Sequence, residues 1–188
     1  ALAAAIRGVS LVLLSVPPLV TSLGLLFLAA NTGWFPMGGM RSAADGSALD
    51  VLRHLVLPTL ALALPLAAQL ERQQARAMAD VLTEPFIVAA RARGVPESVL
   101  VWRGALKVAL RPVAALYGVI AGTLLGGSFI VEVITAWPGI GRLMLDALRA
   151  RDVYLVAGCA AAGAVCLAAG TLAGDLALAV VDPVGPRE

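Results

Sequence analysis

The side chains able to do covalent or metal chemistry are few in this sequence, and their spacing gives little for them to do together. Cys159 and Cys166 stand seven residues apart in one apolar run. On a helix that is roughly two turns, or about 10 Å of rise, whereas disulfide partners need Cα atoms within about 7 Å. They cannot pair with each other there. With His54, the single histidine, they also fall short of the four ligands of a structural zinc site, so the thiols read as small packing residues and no metal or cofactor is expected. A serine mechanism needs a nucleophile beside an activating base. Ser128 has no evident partner, His54 lies at the edge of an apolar stretch, and no G-x-S-x-G turn is present. An aspartyl mechanism needs paired acids, and Asp175 stands alone in its run. With no G-x-x-x-x-G-K-[ST] loop, the chain is expected neither to bind nor to hydrolyse ATP. It reads as a non-enzyme; a membrane-embedded enzyme is the weaker alternative.

The richest polar stretch is "TEPFIVAARARGVPESVLVWRGALK", residues 83–107, which carries Glu84, Arg91, Arg93, Glu97, Arg103 and Lys107 between two apolar regions. Thr83 is suited to cap a helix, with Glu84 and Pro85 in its first turn. "FIVAARAR" then forms a short helix with Phe86, Ala89, Ala90 and Arg93 on one side, at i, i+3, i+4 and i+7. Gly94 closes it, and Pro96 stops any continuation.

The elements around this segment belong to a membrane. Hydrophobic residues make up 60% of the chain and charged residues 14%, against about 25% charged in a typical soluble domain. Mean hydropathy is +0.92. The net charge of +2 is too small to suggest nucleic acid. Four stretches are long and apolar enough to cross a bilayer, at about 9–30, 55–78, 108–131 and 153–181, the third interrupted near its start by Arg111 and Pro112. The first is too long for a signal-peptide core. The connection between the second and third holds Arg72, Arg76, Arg91, Arg93, Arg103, Lys107 and Arg111, half of the fourteen Lys and Arg. The other two connections mix Arg41, Arg53, Arg142, Arg149 and Arg151 with Asp45, Asp50, Asp146 and Asp152. The positive-inside rule then makes the loop at about 79–107 cytoplasmic, the segments at about 31–54 and 132–152 external, and both visible termini, with Arg7 and Arg187, cytoplasmic. Gly118, Gly122 and Gly126 recur every four residues, as do Gly170 and Gly174. Such small-residue faces let helix backbones approach closely in lipid, for packing or to line a path. Glu132 falls at the outer end of the third stretch and Asp175 about two turns before Asp182–Pro183. Acids at membrane depth are functional candidates by default, but neither is placed to couple ions. An ion-driven carrier, the other alternative, would show intramembrane ion sites and internal repeats.

"AARARG" followed by "ALKVALRPV" resembles the cytoplasmic Glu-Ala-Ala loop of ABC-importer permeases. Val88 occupies the Glu position, followed by Ala89, Ala90 and Gly94, and the interval from Gly94 to Pro112 is longer than in the general motif. Both departures are similar to the oligopeptide, dipeptide and nickel importer permeases. "LRHLVLPTLALALPLAA" at 52–68, "WPGIGRLMLDALRARD" at 137–152 and "DLALAVVDP" ending at Pro183 resemble further signatures of that family in matching order. The resemblance implies an all-α polytopic bundle of the type I importer-permease kind, one transmembrane domain over 1–188, with four membrane helices visible of an expected six and the first two missing.

It also implies a prokaryotic cytoplasmic (inner) membrane, a second homologous permease subunit, two cytoplasmic ATPase subunits and an extracytoplasmic substrate-binding protein. The solute would be a peptide, a nickel chelate or a similar small molecule, moving between the two permease subunits. Phe86, Ala89, Ala90, Arg91, Arg93 and Gly94 would dock on the ATPase, the arginines through charge-assisted contacts. Trp34, Trp137 and Gly139 would meet the binding protein, although tryptophans also gather at membrane interfaces without partners. The resemblance includes Asp175 and Asp182, which favours a structural contact for them.

Overall fold

The computed structural model describes residues 2–42 and 46–181. Asp45, Asp182, Pro183 and Arg187 lie outside the described residues. Among those described, every regular element is helical.

Helices α1 (Leu2–Ser15) and α2 (Pro18–Thr32) cover the first apolar stretch. They are not one rod: their axes meet at 106°. The cause is the Pro17–Pro18 pair. A proline drives the residue before it out of the helical region, and Pro17 is extended at φ −61°, ψ 152°. Pro18 then starts a new helix, as its fixed φ favours.

Helix α3 (Ala48–Leu82) runs for 35 residues, about 50 Å at 1.5 Å per residue. Its N-cap is Ser47, whose hydroxyl accepts from the Asp50 N–H at 3.2 Å. Pro58 and Pro65 sit inside it without ending it, as transmembrane helices tolerate when neighbouring groups re-satisfy the freed backbone. The second apolar stretch and the polar turns with Glu71, Arg72 and Arg76 are therefore one continuous helix.

Beyond it come α4 (Pro85–Ala92), α5 (Glu97–Val99), a π-helical turn at Leu100–Ala105, α6 (Leu106–Ala109), α7 (Arg111–Ala115) and α8 (Tyr117–Ile134). Thus the third expected span, 108–131, is entered through short pieces that break at Leu110 and Leu116. Pro112 lacks the N–H that would continue the ladder. Helices α9 (Ile140–Ala150) and α10 (Val153–Val181) complete the chain.

Helix α3 packs against α1, α2 and α8, and α10 runs along α8 with α9 and α7 at its sides. The glycine faces meet each other there. A Cβ on Gly170 would stand 2.7 Å from the Ala121 Cβ, and one on Gly118 would stand 3.1 Å from Thr171 Cγ2. Gly122 faces Leu167, Gly174 is buried, and Gly126 has open space beside it. These faces join α8 to α10 within the subunit.

By length and composition α3 and α10 each qualify to cross a membrane, and the bent α1–α2 pair would make a third span; α8 is apolar but shorter. Only 6% of α10's apolar window is buried. An apolar surface that size faces lipid or further helices rather than water.

Candidate functional site

The candidate residues collect at the two ends of α3. At its C-terminal end, Thr83 closes α3 instead of capping α4: its hydroxyl donates to the Asp80 carbonyl at 2.7 Å. Glu84 takes the cap position. It is extended at ψ 143°, as a residue before proline must be, and its carbonyl accepts from Ile87 and Val88. The start of the short helix is thus one residue later than the capping pattern suggests, because Pro85 decides it.

Helix α4 ends in a Schellman turn. The Val95 N–H bonds the Ala90 carbonyl at 3.3 Å and the Gly94 N–H bonds Arg91 at 3.0 Å. Gly94 holds φ +80° with nothing near a hypothetical Cβ, so glycine is needed for conformation rather than for space. Across this turn Arg91 grips Glu97 with two hydrogen bonds, 2.7 and 3.1 Å. These bonds hold the Glu97 carboxyl below its ordinary pKa and push the Arg91 guanidinium above its own. Arg91 is thereby paired within the chain, and both it and Arg93 are exposed.

What anchors α4 is Ile87, 1% exposed. It packs with Val81, Ala105 and Ala109, with Ala77, Met78, Leu82 and Val108 around them. The π-helical turn passes close enough that a Cβ on Gly104 would stand 3.2 Å from Ile87 Cδ1. One side chain therefore ties α4 both to the end of α3 and to the pieces that lead into α8. Phe86 and Ala89 face outward and Ala90 is half-buried. The expected face is present, but Ile87, one position off it, does the holding. Its signal in the sequence was weak: an isoleucine three residues before Ala90, beside an equally apolar Val88.

The segments expected to be external meet at the other end. Buried Asp50, in the first turn of α3, accepts from the Ser42 N–H at 2.6 Å and its hydroxyl at 2.8 Å, and His54 Nδ1 lies 2.8 Å from the Asp50 carbonyl. The same loop reaches α8, where the Gly39 N–H bonds the Thr135 carbonyl at 2.9 Å. Trp34 on this loop is 79% exposed, while Trp137 and Gly139 are partly buried. The Trp137 N–H bonds the Glu132 carbonyl, and the Trp137 carbonyl accepts from Gly139. Glu132 turns out to be a helix cap: its carboxylate accepts from the Gly141 N–H at 2.7 Å and lies 3.4 Å from that of Arg142. Asp175 is exposed, and Ser128 donates to the Leu125 carbonyl. These interactions fix the ends of helices and position the elements relative to one another.

A family model described as "Binding-protein-dependent transport system inner membrane component" matches residues 1–184. The chain is 36% identical over 160 residues, 85% of its length, to the oligopeptide transport system permease protein AppB of Bacillus subtilis, covering 51% of that protein. It is 38% identical over 140 residues to the di/tripeptide transport system permease protein DppB of Pseudomonas aeruginosa, covering 74% of this chain and 42% of that one. To the glutathione transport system permease protein GsiC of Pectobacterium atrosepticum it is 37% identical over 138 residues, 72% of this chain and 42% of that one. It spans about half the length of the curated relatives it matches.

Proposed function

The chain belongs to the family of binding-protein-dependent transport system inner membrane components, and from that premise we propose that it is a membrane-spanning part of a permease subunit in a bacterial ATP-driven importer. It pairs with a homologous second permease subunit, and the solute passes between the two. The named relatives carry oligopeptides, di- and tripeptides or glutathione, which supports a peptide or peptide-like solute here. Nickel chelates remain within reach of the same architecture.

The observation that carries this reading is the double seat of Ile87. Of two separate cytoplasmic ATPase subunits, one grips α4 on its outward face, at Phe86, Ala89 and Arg93, with Ala90 and Gly94 allowing close approach. Arg91 contributes by fixing the turn through Glu97. When the ATPases close, α4 moves, and Ile87 passes that movement to α3 and to the short pieces that lead into α8. A binding protein delivers the solute at the opposite end, near Trp34, Trp137 and Gly139. Both visible termini then lie in the cytoplasm.

The test is to tag the native full-length subunit, solubilise its membranes gently and identify what stays bound. A second permease subunit and an ATPase pair are expected, and solute captured by the accompanying binding protein names the cargo. A subunit that purifies alone even after mild crosslinking would sink the reading.

A further inference from the structure

Where α8 ends, the chain turns through Thr135–Gly139 and sets out again as α9. The first N–H groups of a helix have no partner within it. Here a carboxylate supplies one, and it comes from the preceding helix rather than from the turn: Glu132 Oε2 accepts from Gly141. Negative charge at a helix N-terminus also meets the positive end of the helix dipole.

The fit leaves no slack. A Cβ on Gly139 would fall on the Glu132 carboxylate, and one on Gly141 would stand 2.5 Å from Phe129 Cα and 3.0 Å from Glu132 Oε2. A second tie runs in parallel, since the Arg142 guanidinium donates to the Ala136 carbonyl. Behind this joint lies a cavity of about 310 Å³ between α8, α9 and α10, lined among others by Glu132, Phe129, Gly141, Met144 and Cys159. The space gives α9 room to tilt if its N-terminus is released. Cys159, 6% exposed, sits on the far wall on α10.

We propose that Glu132 is the positioning residue that makes α8 and α9 one rigid body, so that movement of α8 is delivered to the face of the molecule where α9 lies. The proposal rests on the importer reading for what the movement is for, but not for the joint itself. Uncapped, α9 would pivot over the cavity while α8 moved, and the two ends of the protein would lose step.

Two readouts test it in the full-length subunit within its native complex, in a background where Cys159 is the only thiol. Thiols react as thiolates, so a small methanethiosulfonate reagent reports water reaching the cavity. Glu132→Ala should speed Cys159 modification by roughly tenfold or more, the scale expected on losing a hydrogen bond to a charged group. Glu132→Gln, which keeps an acceptor oxygen, should stay within about threefold of the parent, because it retains the bond without the charge. Glu132→Asp, one methylene too short to reach the Gly141 N–H from the same backbone position, should also speed modification. Should Glu132→Ala impair folding, Glu132→Asp carries the test. Unchanged Cys159 reactivity in both variants would overturn the joint.

The second readout is solute taken up per ATP hydrolysed, which should fall in Glu132→Ala and recover in Glu132→Gln. Faster Cys159 modification with an unchanged ratio would mean that α9 is held by Glu132 but carries no movement, which also overturns the proposal. A subunit that binds no ATPase removes the importer reading while leaving the Cys159 result to be judged alone.

Discussion

Gly94 and Glu132 show how much one residue can settle in this chain. Gly94 has open space around it and a left-handed backbone, so its requirement is conformational. The left-handed region costs an ordinary residue about 1–2 kcal/mol, and asparagine less than a β-branched one. Gly94→Val should therefore lower uptake by the complex several-fold, with normal membrane insertion, while Gly94→Asn should keep most of it. Equal uptake by the two variants would show that the turn is irrelevant to transport. That Gly94 ends the helix was legible in the sequence, because glycine followed by proline is a stop signal read locally. Glu97 as the partner of Arg91 was not. No periodicity links residues six apart across a turn, and only the turn's geometry brings them together. Glu132 was visible as an acid at the end of an apolar stretch, but its role as a cap depends on where α9 starts.

At the scale of elements, short helices decide more here than long ones. An eight-residue helix is marginal on its own, so α4 exists because Ile87 is docked. Truncating a buried isoleucine to alanine costs about 2–5 kcal/mol. Ile87→Ala should raise deuterium exchange across residues 85–95 at least tenfold in the full-length subunit, with little change inside α10. Parent-like protection there would mean α4 is held by something other than this seat. The long elements followed from apolar length alone, and α3 and α10 lie where hydropathy puts them. Hydropathy did not reveal that the first apolar stretch is bent by 106°, since apolar length counts residues and ignores their direction. The Pro17–Pro18 pair was the available sign. At the entry into α8 the sign was Arg111 and Pro112, which interrupt the apolar run where α6 and α7 stand in place of a continuous start to the span.

For the whole molecule, the two site clusters stand at the ends of a helix about 50 Å long, enough to span a bilayer with its interfaces. Half of all Lys and Arg gather between the last turns of that helix and the start of α7. Trp34→Cys should therefore react with a membrane-impermeant maleimide on intact cells, and Ser98→Cys only after permeabilisation. The reverse pattern would invert the orientation and place α4 beyond the reach of a cytoplasmic ATPase. The amino-acid sequence by itself determined the membrane class, the apolar helices, the polar segment between them and the family, because each is written in composition or in residues close along the chain. Tertiary structure alone decided that the glycine faces of α8 and α10 meet each other, that Ile87 joins three elements, and that Glu132 caps α9. Those facts depend on distances between residues far apart in order, which no local pattern encodes.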